Sequence, residues 1–176
     1  AFDNPIESFR NDLFDGYKTG EGMDPVLYAQ FGPVEEAVRA LGVTVWSMDR
    51  WEADNALGST ATRFAADFEQ IRILTPDKDL GQCVRGQRVV QVDRVRKKEI
   101  DEDGVRATWG VGPESIPDLL ALIGDSADGI PGLPGIGEKT AAALLGSYVH
   151  LEAIPADPAR WNVQVRGAAK VAVTLA

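Results

Sequence analysis

The chain has 176 residues, 44% of them hydrophobic and 26% charged, enough for one sizeable core or one core with a small appended module. No run approaches the roughly 18 apolar residues of a membrane span, and no basic region followed by an apolar stretch opens the chain, so a globular, cytoplasmic protein without membrane contact is expected. A single cysteine excludes an internal disulfide and a thiolate zinc cluster, a single histidine leaves His-based nucleophilic chemistry without an agent, and a net charge of −9 disfavours a nucleic-acid partner unless carboxylates gather around cations.

Asp24-Pro25 opens a helix with a capping side chain and proline in its first turn. Val26, Leu27, Val34, Val38 and Leu41 continue its apolar face, with a break expected at Gly32-Pro33 and a stop at Gly42. Residues 43–46 form a short β-type run. Residues 52–68 have helical periodicity through Ala56, Leu57, Phe64 and Phe68, and residues 71–75 and 89–92 read as strands. Cys83 is expected in a core. Residues 94–103 read as a solvated strand end and loop, because Glu99, Asp101, Glu102 and Asp103 offset Arg94, Arg96, Lys97 and Lys98. Helical patterns return at 115–123, 138–145 and 165–176, and His150 reads as a solvated helix-start residue. Alternating strands and helices predict an α/β core with a largely parallel sheet over residues 1–112, and the strand-free stretch from Pro113 predicts a helical module over 113–176.

The acids fall where strands end or helices begin. Asp3 closes an apolar strand at Phe2-Asp3, Glu52 and Asp54 open the second helix, and Asp77 and Asp79 follow the 71–75 strand at once. Five carboxylates are then expected on one edge of a sheet, where ligands bind in open α/β folds and where unrelieved like charges would repel by roughly several kcal/mol. Hard oxygen ligands favour Mg²⁺ or Mn²⁺ over zinc, and two ions about 4 Å apart suit in-line attack on a phosphodiester. Any one of these acids alone reads as a helix cap or a surface charge.

A second signal is the stretch Gly124-Asp-Ser-Ala-Asp128-Gly-Ile-Pro-Gly132-Leu-Pro-Gly135-Ile-Gly137-Glu-Lys-Thr140. Its glycines permit close backbone approach, and Gly135-Ile-Gly137 opens a helix whose free N–H groups can hold a phosphate. It is not a Walker A loop, because Glu138 separates Gly137 from Lys139, and not a dinucleotide fingerprint, because Thr140 stands where a third glycine is needed. A plain glycine-rich connector is the alternative.

Together these segments resemble the 5′ nuclease family, which includes bacterial flap endonucleases and the 5′-3′ exonuclease domain of DNA polymerase I. Phe2-Asp3 with Ser8-Phe-Arg10 and Tyr17-Lys18 is similar to the family's second acidic strand and its Phe-Arg and Tyr-Lys segment. Trp51-Glu-Ala-Asp-Asn55 resembles the Glu-Ala-Asp-Asp motif, Leu74-Thr-Pro-Asp-Lys-Asp-Leu80 the Thr-x-Asp-Lys-Asp motif, and Gly124 to Thr140 the Gly-Asp-x-x-Asp segment leading into a helix-three-turn-helix. The resemblance implies a PIN-like nuclease core, with a mostly parallel central sheet flanked by helices, and a helix-three-turn-helix DNA-binding module.

It also implies that Asp3, Glu52 and Asp54 serve one divalent ion and Asp77, Asp79 and Asp128 the other, with Asp125 close by and Asn55 in a ligand position. Arg10 and Lys18 are implied as catalytic cations, with Lys18 at the base of a helical arch. Tyr17, Lys18, Gly132, Gly135, Gly137, Lys139 and Thr140 are implied DNA contacts, with a K⁺ ion at the glycine turn. The implied protein is a monomeric, cytoplasmic and nucleoid-associated bacterial enzyme of DNA replication and repair, acting on 5′ flaps or 5′-ended duplexes.

Three departures stand out. The family's first strand, with its Asp and small-residue turn, has no counterpart, so these residues are expected to be a piece of a longer protein that carries the rest of the first metal site. Asn55 replaces a second adjacent Asp, which removes a charge and weakens a metal directly or through water, by natural divergence or by substitution. Thr19-Gly-Glu-Gly22 follows Lys18 in place of the usual basic residues, which makes the cleft mouth less positive. The alternatives to a nuclease are a DNA-binding module weakened in catalysis through Asn55, and a structural partner with a nuclease-like fold.

Overall fold

Asp24 caps the first helix as its place before Pro25 dictates, its carboxylate accepting the Val26 N–H at 2.8 Å. The computed structural model describes residues 1–175 and divides into two units, one formed by Ala1–Arg63 with Ala127–Gly129, the other by Phe64–Ser126 with the chain from Ile130 onward.

In the first unit, β1 (Phe2–Asp3) is followed by α1 (Pro25–Tyr28), α2 (Phe31–Ala40), β2 (Ser47–Met48) and α3 (Ala53–Phe64). Strands β1 and β2 pair in parallel, Phe2 opposite Ser47 and Asp3 opposite Met48. The strand expected at 43–46 therefore lies slightly later, because the register set by the two residues of β1 begins at Ser47; Trp46 contributes only its carbonyl, to Phe2 N–H at 2.9 Å. The helical break expected at Gly32-Pro33 falls at Ala29-Gln30. Pro33 instead sits in the first turn of α2, where a missing N–H leaves no intrahelical bond unmade. The apolar stripe of this region does not all face a core, for Val26 is 72% and Leu41 80% exposed. Helix α3 ends at Phe64 rather than Phe68. Beyond it the chain turns through an Asp67 N–H to Phe64 carbonyl bond, and the two rings meet edge-on at 6.4 Å without a helix between them.

Two buried carboxylates occupy the interior of this unit. Glu35, on α2, accepts from Asn4 at 3.2 Å, from Arg39 at 3.1 Å and from the Ser47 hydroxyl, which ties the helix to β2 and to the residue that follows β1. Those hydrogen bonds outweigh the cost of burial and hold the Glu35 carboxyl below its ordinary pKa, the Ser47 bond contributing most. Glu52 is the other buried acid.

In the second unit, β3 (Ile71–Leu74) lies parallel to β4 (Val89–Asp93), and β4 continues into an antiparallel β5 (Lys98–Ile100). The charged segment 94–103 is thus a hairpin turn, a strand and the start of α4 (Glu102–Trp109), not a strand end and loop. Asp101 caps α4 through the Gly104 N–H at 2.9 Å, a local bond that charge counting does not reveal. The chain goes on through α5 (Ile116–Ile123), β6 (Gly124–Asp125), β7 (Ile130–Pro131), α6 (Glu138–Tyr148) and α7 (Ala168–Leu175). Strands β6 and β7 form a short antiparallel pair, so the stretch from Pro113 is not strand-free. The pattern at 165–176 gives α7, and its last residue lies outside the described ones.

Val84, Val105, Leu119, Leu122, Leu144 and Leu145 are the centre of the apolar core of this unit, brought together from the loop before β4 and from α4, α5 and α6. Cys83 is half-buried and is not part of that core. His150 is exposed before a 3-10 turn, as expected, with Nδ1 at 3.0 Å from the Asp118 carboxylate. The single mostly parallel sheet is not found: among the described residues the strands form one parallel pair, one mixed three-stranded sheet and one antiparallel pair. Very short strands, with two residues in each of four, do not propagate a ladder from one pair to the next.

Candidate active site

Ser8 organises the first group of polar side chains. It caps a 3-10 turn over Phe9–Asp12 by accepting the Arg10 N–H at 3.2 Å, while Asn11 Oδ1 accepts the Ser8 N–H at 2.8 Å. The turn presents the Ser8 hydroxyl to Glu52 Oε1 at 2.7 Å and the Arg10 guanidinium to Glu52 Oε2. Glu52 is 2% exposed and stands immediately before α3. Asn55 Oδ1 accepts its N–H at 3.0 Å, and Asp3 Oδ1 accepts the N–H of Ala53. The acid that ends β1 thus lies on the positive N-terminus of α3, next to Glu52. Asp54 lies in the first turn of the same helix.

Asp128 joins this group from far along the chain. Gly129 makes the approach possible: its φ is +74°, and a Cβ there would stand 2.3 Å from the Gly16 carbonyl oxygen. The Tyr17 hydroxyl then lies 3.1 Å from Glu52 Oε2 and 3.1 Å from Asp128 Oδ2. Lys18 Nζ lies 3.4 Å from Asp128 Oδ1 and 3.7 Å from Glu52 Oε2. Burial and the two neighbouring carboxylates, partly opposed by Arg10, raise the Tyr17 pKa far above the phenol value, so the hydroxyl keeps its proton. Burial works against the Lys18 ammonium, but Glu52 and Asp128, with Asp3, outweigh it and hold its pKa above the ordinary lysine value. Tyr17 and Lys18 are thus partners of both Asp128 and Glu52.

In the second unit, Asp77 caps the 3-10 turn Lys78–Cys83 by accepting the Asp79 N–H at 3.0 Å. Gln91, buried on β4, donates to the Thr75 carbonyl at 3.1 Å and to the Asp77 carbonyl, fixing the loop after β3. Lys78 Nζ binds the Asp125 carboxylate and lies 3.6 Å from Asp79 Oδ1. Its own burial disfavours the charge, yet Asp125, Asp79 and Asp77 raise its pKa. Asp3 ends β1 in one sheet, whereas Asp77 and Asp79 follow β3 in another. Among the described residues no three acidic, histidine or cysteine side chains are close enough to hold a metal by themselves. The donors are nonetheless all hard oxygens, and in each unit carboxylates converge on one ammonium, which fits a hard divalent cation in kind.

The glycine turn lies between β7 and α6. Gly132 is packed on its own chain, where a Cβ would stand 2.2 Å from the Ile123 carbonyl oxygen. Gly135 has φ +83° and, like Gly137, has open space where a Cβ would be. Gly137 precedes α6 without a side-chain cap; Lys139 is exposed in the first turn and Thr140 half-buried. Sequence reasoning gave no role to Ser8, Asn11 or Lys78. The Ser8-x-x-Asn11 spacing is a cap signal, and a lysine between two aspartates is a charge signal, so both were readable.

The chain combines a resolvase-like α/β domain with a helical SAM fold: family models describe residues 1–110 as the N-terminal resolvase-like domain of a 5′-3′ exonuclease and residues 111–173 as its C-terminal SAM fold. The chain belongs to the 5′-3′ exonuclease family. It is 40% identical over 169 residues to DNA polymerase I of Pseudomonas aeruginosa, a match covering 91% of this chain and 18% of that protein. It is 38% identical over 154 residues to the 5′-3′ exonuclease of Buchnera aphidicola subsp. Baizongia pistaciae, covering 87% of this chain and 51% of that one. The chain therefore spans about half the length of the Buchnera exonuclease and under a fifth of the polymerase.

Among solved structures, T5 5′-exonuclease with bound zinc ions superposes with a TM-score of 0.73 at 18% identity, over 96% of this chain and 65% of that one. A bacteriophage T5 flap endonuclease in a pseudo-enzyme-product complex with DNA and metal ions gives a TM-score of 0.74 at 16% identity, over 96% and 67%. These likenesses are of fold. Among the described residues no helix is long and apolar enough to cross a membrane.

Proposed function

We propose that this chain is the core of a metal-dependent, structure-specific 5′ nuclease that hydrolyses DNA phosphodiesters at a 5′ flap or near a 5′ end, in replication and repair. The observation that carries the reading is the sharing of Tyr17 and Lys18 by Glu52 and Asp128 in a chain of this family. A neutral donor and a cation placed between two carboxylates hold their hard oxygens together, and hard oxygens are the ligands a divalent ion of this kind takes.

Asp3, Glu52 and Asp54, with Asn55 adjacent, would hold one ion, and Asp77, Asp79 and Asp128, with Asp125 adjacent, the other. When bound, Mg²⁺ or Mn²⁺ supplies the Lewis acidity that activates water and stabilises the departing 3′ oxygen. Arg10 and Ser8 fix the Glu52 carboxylate, and the protonated Lys18 neutralises charge on the scissile phosphate. The free N–H groups at the start of α6, with Lys139 and Thr140, hold a duplex phosphate beside Gly135 and Gly137. The functional division falls at residue 112, with a helix-three-turn-helix beyond it, K⁺ at the glycine turn, and a monomeric, cytoplasmic, nucleoid-associated enzyme.

The test is a flap duplex labelled at its 5′ end, incubated with the intact natural protein and Mn²⁺. Short labelled products that EDTA abolishes are expected. Binding without cleavage would favour a DNA-binding module with weakened catalysis, and neither binding nor cleavage would leave only a structural role.

A further inference from the structure

The turn between β4 and β5 reverses the sign of the chain locally. In a protein of net charge −9, four of the six residues from Asp93 to Lys98 are cationic. The sequence places Glu99, Asp101, Glu102 and Asp103 close by, as if to cancel them, but the structure engages the first three elsewhere and places Asp103, exposed, in the first turn of α4. Asp93 is 3% exposed and bound to Arg96, through its N–H at 2.8 Å and its guanidinium at 2.7 Å. Glu99 pairs with Arg72 across the sheet. Asp101 caps α4 and accepts the Gln87 amide at 3.3 Å, while Glu102 accepts the Gly86 N–H at 3.0 Å and the Arg106 guanidinium at 3.0 Å.

Arg94, Lys97 and Lys98 remain, all exposed and none in an ion pair among the described residues. Lys97 has φ +54°, the left-handed conformation that Gly or Asn adopts more readily, and Val95 beside it is 82% exposed. Like charges crowded on a two-stranded tip repel one another, and an external polyanion relieves that repulsion while shedding its own counterions.

We infer that the β4–β5 tip, through Arg94, Lys97 and Lys98, binds the phosphate backbone of duplex DNA as a contact additional to the glycine turn. The inference rests on the nuclease reading above and adds a second place where this chain grips its substrate. Exposed lysines act as point charges, so the contact is independent of base sequence.

The experiment compares the intact natural protein with a variant carrying Arg94→Gln, Lys97→Asn and Lys98→Gln, using fluorescence anisotropy on a labelled flap duplex in EDTA over a range of NaCl. Asn suits the backbone at 97, and Val95→Ser serves as a control for disturbance of the tip. Each lost phosphate contact lowers the slope of log K against log salt by about 0.9, so a decrease of about 2 to 3 is expected, with the affinities converging at high salt. Val95→Ser should leave the slope in place. An unchanged slope in the triple variant, with duplex binding by the parent protein intact, overturns this inference alone, as does an equal loss at every salt concentration accompanied by a lower melting temperature. Absence of duplex binding by the parent overturns the nuclease reading as well.

Discussion

The Tyr17 hydroxyl lies 3.1 Å from Asp128 Oδ2 across 111 residues of sequence. The same oxygen is 3.1 Å from Glu52, yet a phenol carries one proton and can donate to only one carboxylate at a time. Removing it by Tyr17→Phe leaves the two acids facing each other with Lys18 between them. The variant should lose about 1–3 kcal/mol in urea unfolding without metal, with an unchanged m-value. Unchanged stability would mean that the cations alone compensate the pair.

Lys18 is held protonated above its ordinary pKa of 10.5 by Glu52, Asp128 and Asp3 against burial. A group that acts on the transition state reduces turnover when removed. Lys18→Ala should therefore lower kcat by roughly 10²-fold or more while DNA affinity stays within about a few-fold. Single-turnover rates with separately measured binding check this; an affinity loss as large as the rate loss would make Lys18 a phosphate-binding charge only. No loss of activity from Lys18 deprotonation should be seen below its ordinary value.

Glu35 supplies a pH dependence of folding. Its native pKa is below the ordinary 4.5, so its contribution is present above that value and is lost as pH falls through the lowered native pKa. The melting-temperature gap between the parent and Glu35→Gln should be constant above about pH 6 and should shrink progressively below pH 4.5. A gap that grows on acidification would contradict the role of the Ser47, Asn4 and Arg39 contacts.

Gly137 allows a cleaner test of the glycine turn than Gly135. Gly135 has φ +83°, where any side chain strains the backbone, whereas Gly137 is extended with φ −103° and has open space where a Cβ would project. Gly137→Ala should weaken duplex binding by several-fold, on the order of 1 kcal/mol, through obstruction of close phosphate approach, with melting temperature and Mn²⁺ binding retained. Equal affinity for duplex in parent and variant would reduce the turn to a connector.

The local fold around the candidate site was legible where local chemistry governs it. Asp24-Pro25 capped a helix, the acid of Phe2-Asp3 ended a strand, and the order of the acidic motifs placed Glu52 before α3. Partnership across sequence was not legible. Nothing local to Asp128 reports that Gly129 will meet the Gly16 carbonyl and deliver the carboxylate to Tyr17 and Lys18. The charge balance over 94–103 did not show which acid pairs with which group for the same reason, since Asp101 and Glu102 serve α4 and Glu99 serves Arg72. Strand order was also beyond reach, because two-residue strands carry too little alternation to set a register.

Whether the Glu52 carboxylate works in metal-dependent cleavage is decided by incubating a 5′-labelled flap duplex in Mn²⁺ with the intact natural protein and its Glu52→Gln variant, with flap binding measured in EDTA. Gln keeps the shape and the Ser8 contact but removes the charge that faces Arg10 and Lys18. Turnover is expected to fall by roughly 10²-fold or more, while folding and flap binding are retained within about a few-fold. Cleavage at the parent rate by a folded Glu52→Gln protein would contradict the metal-dependent nuclease reading.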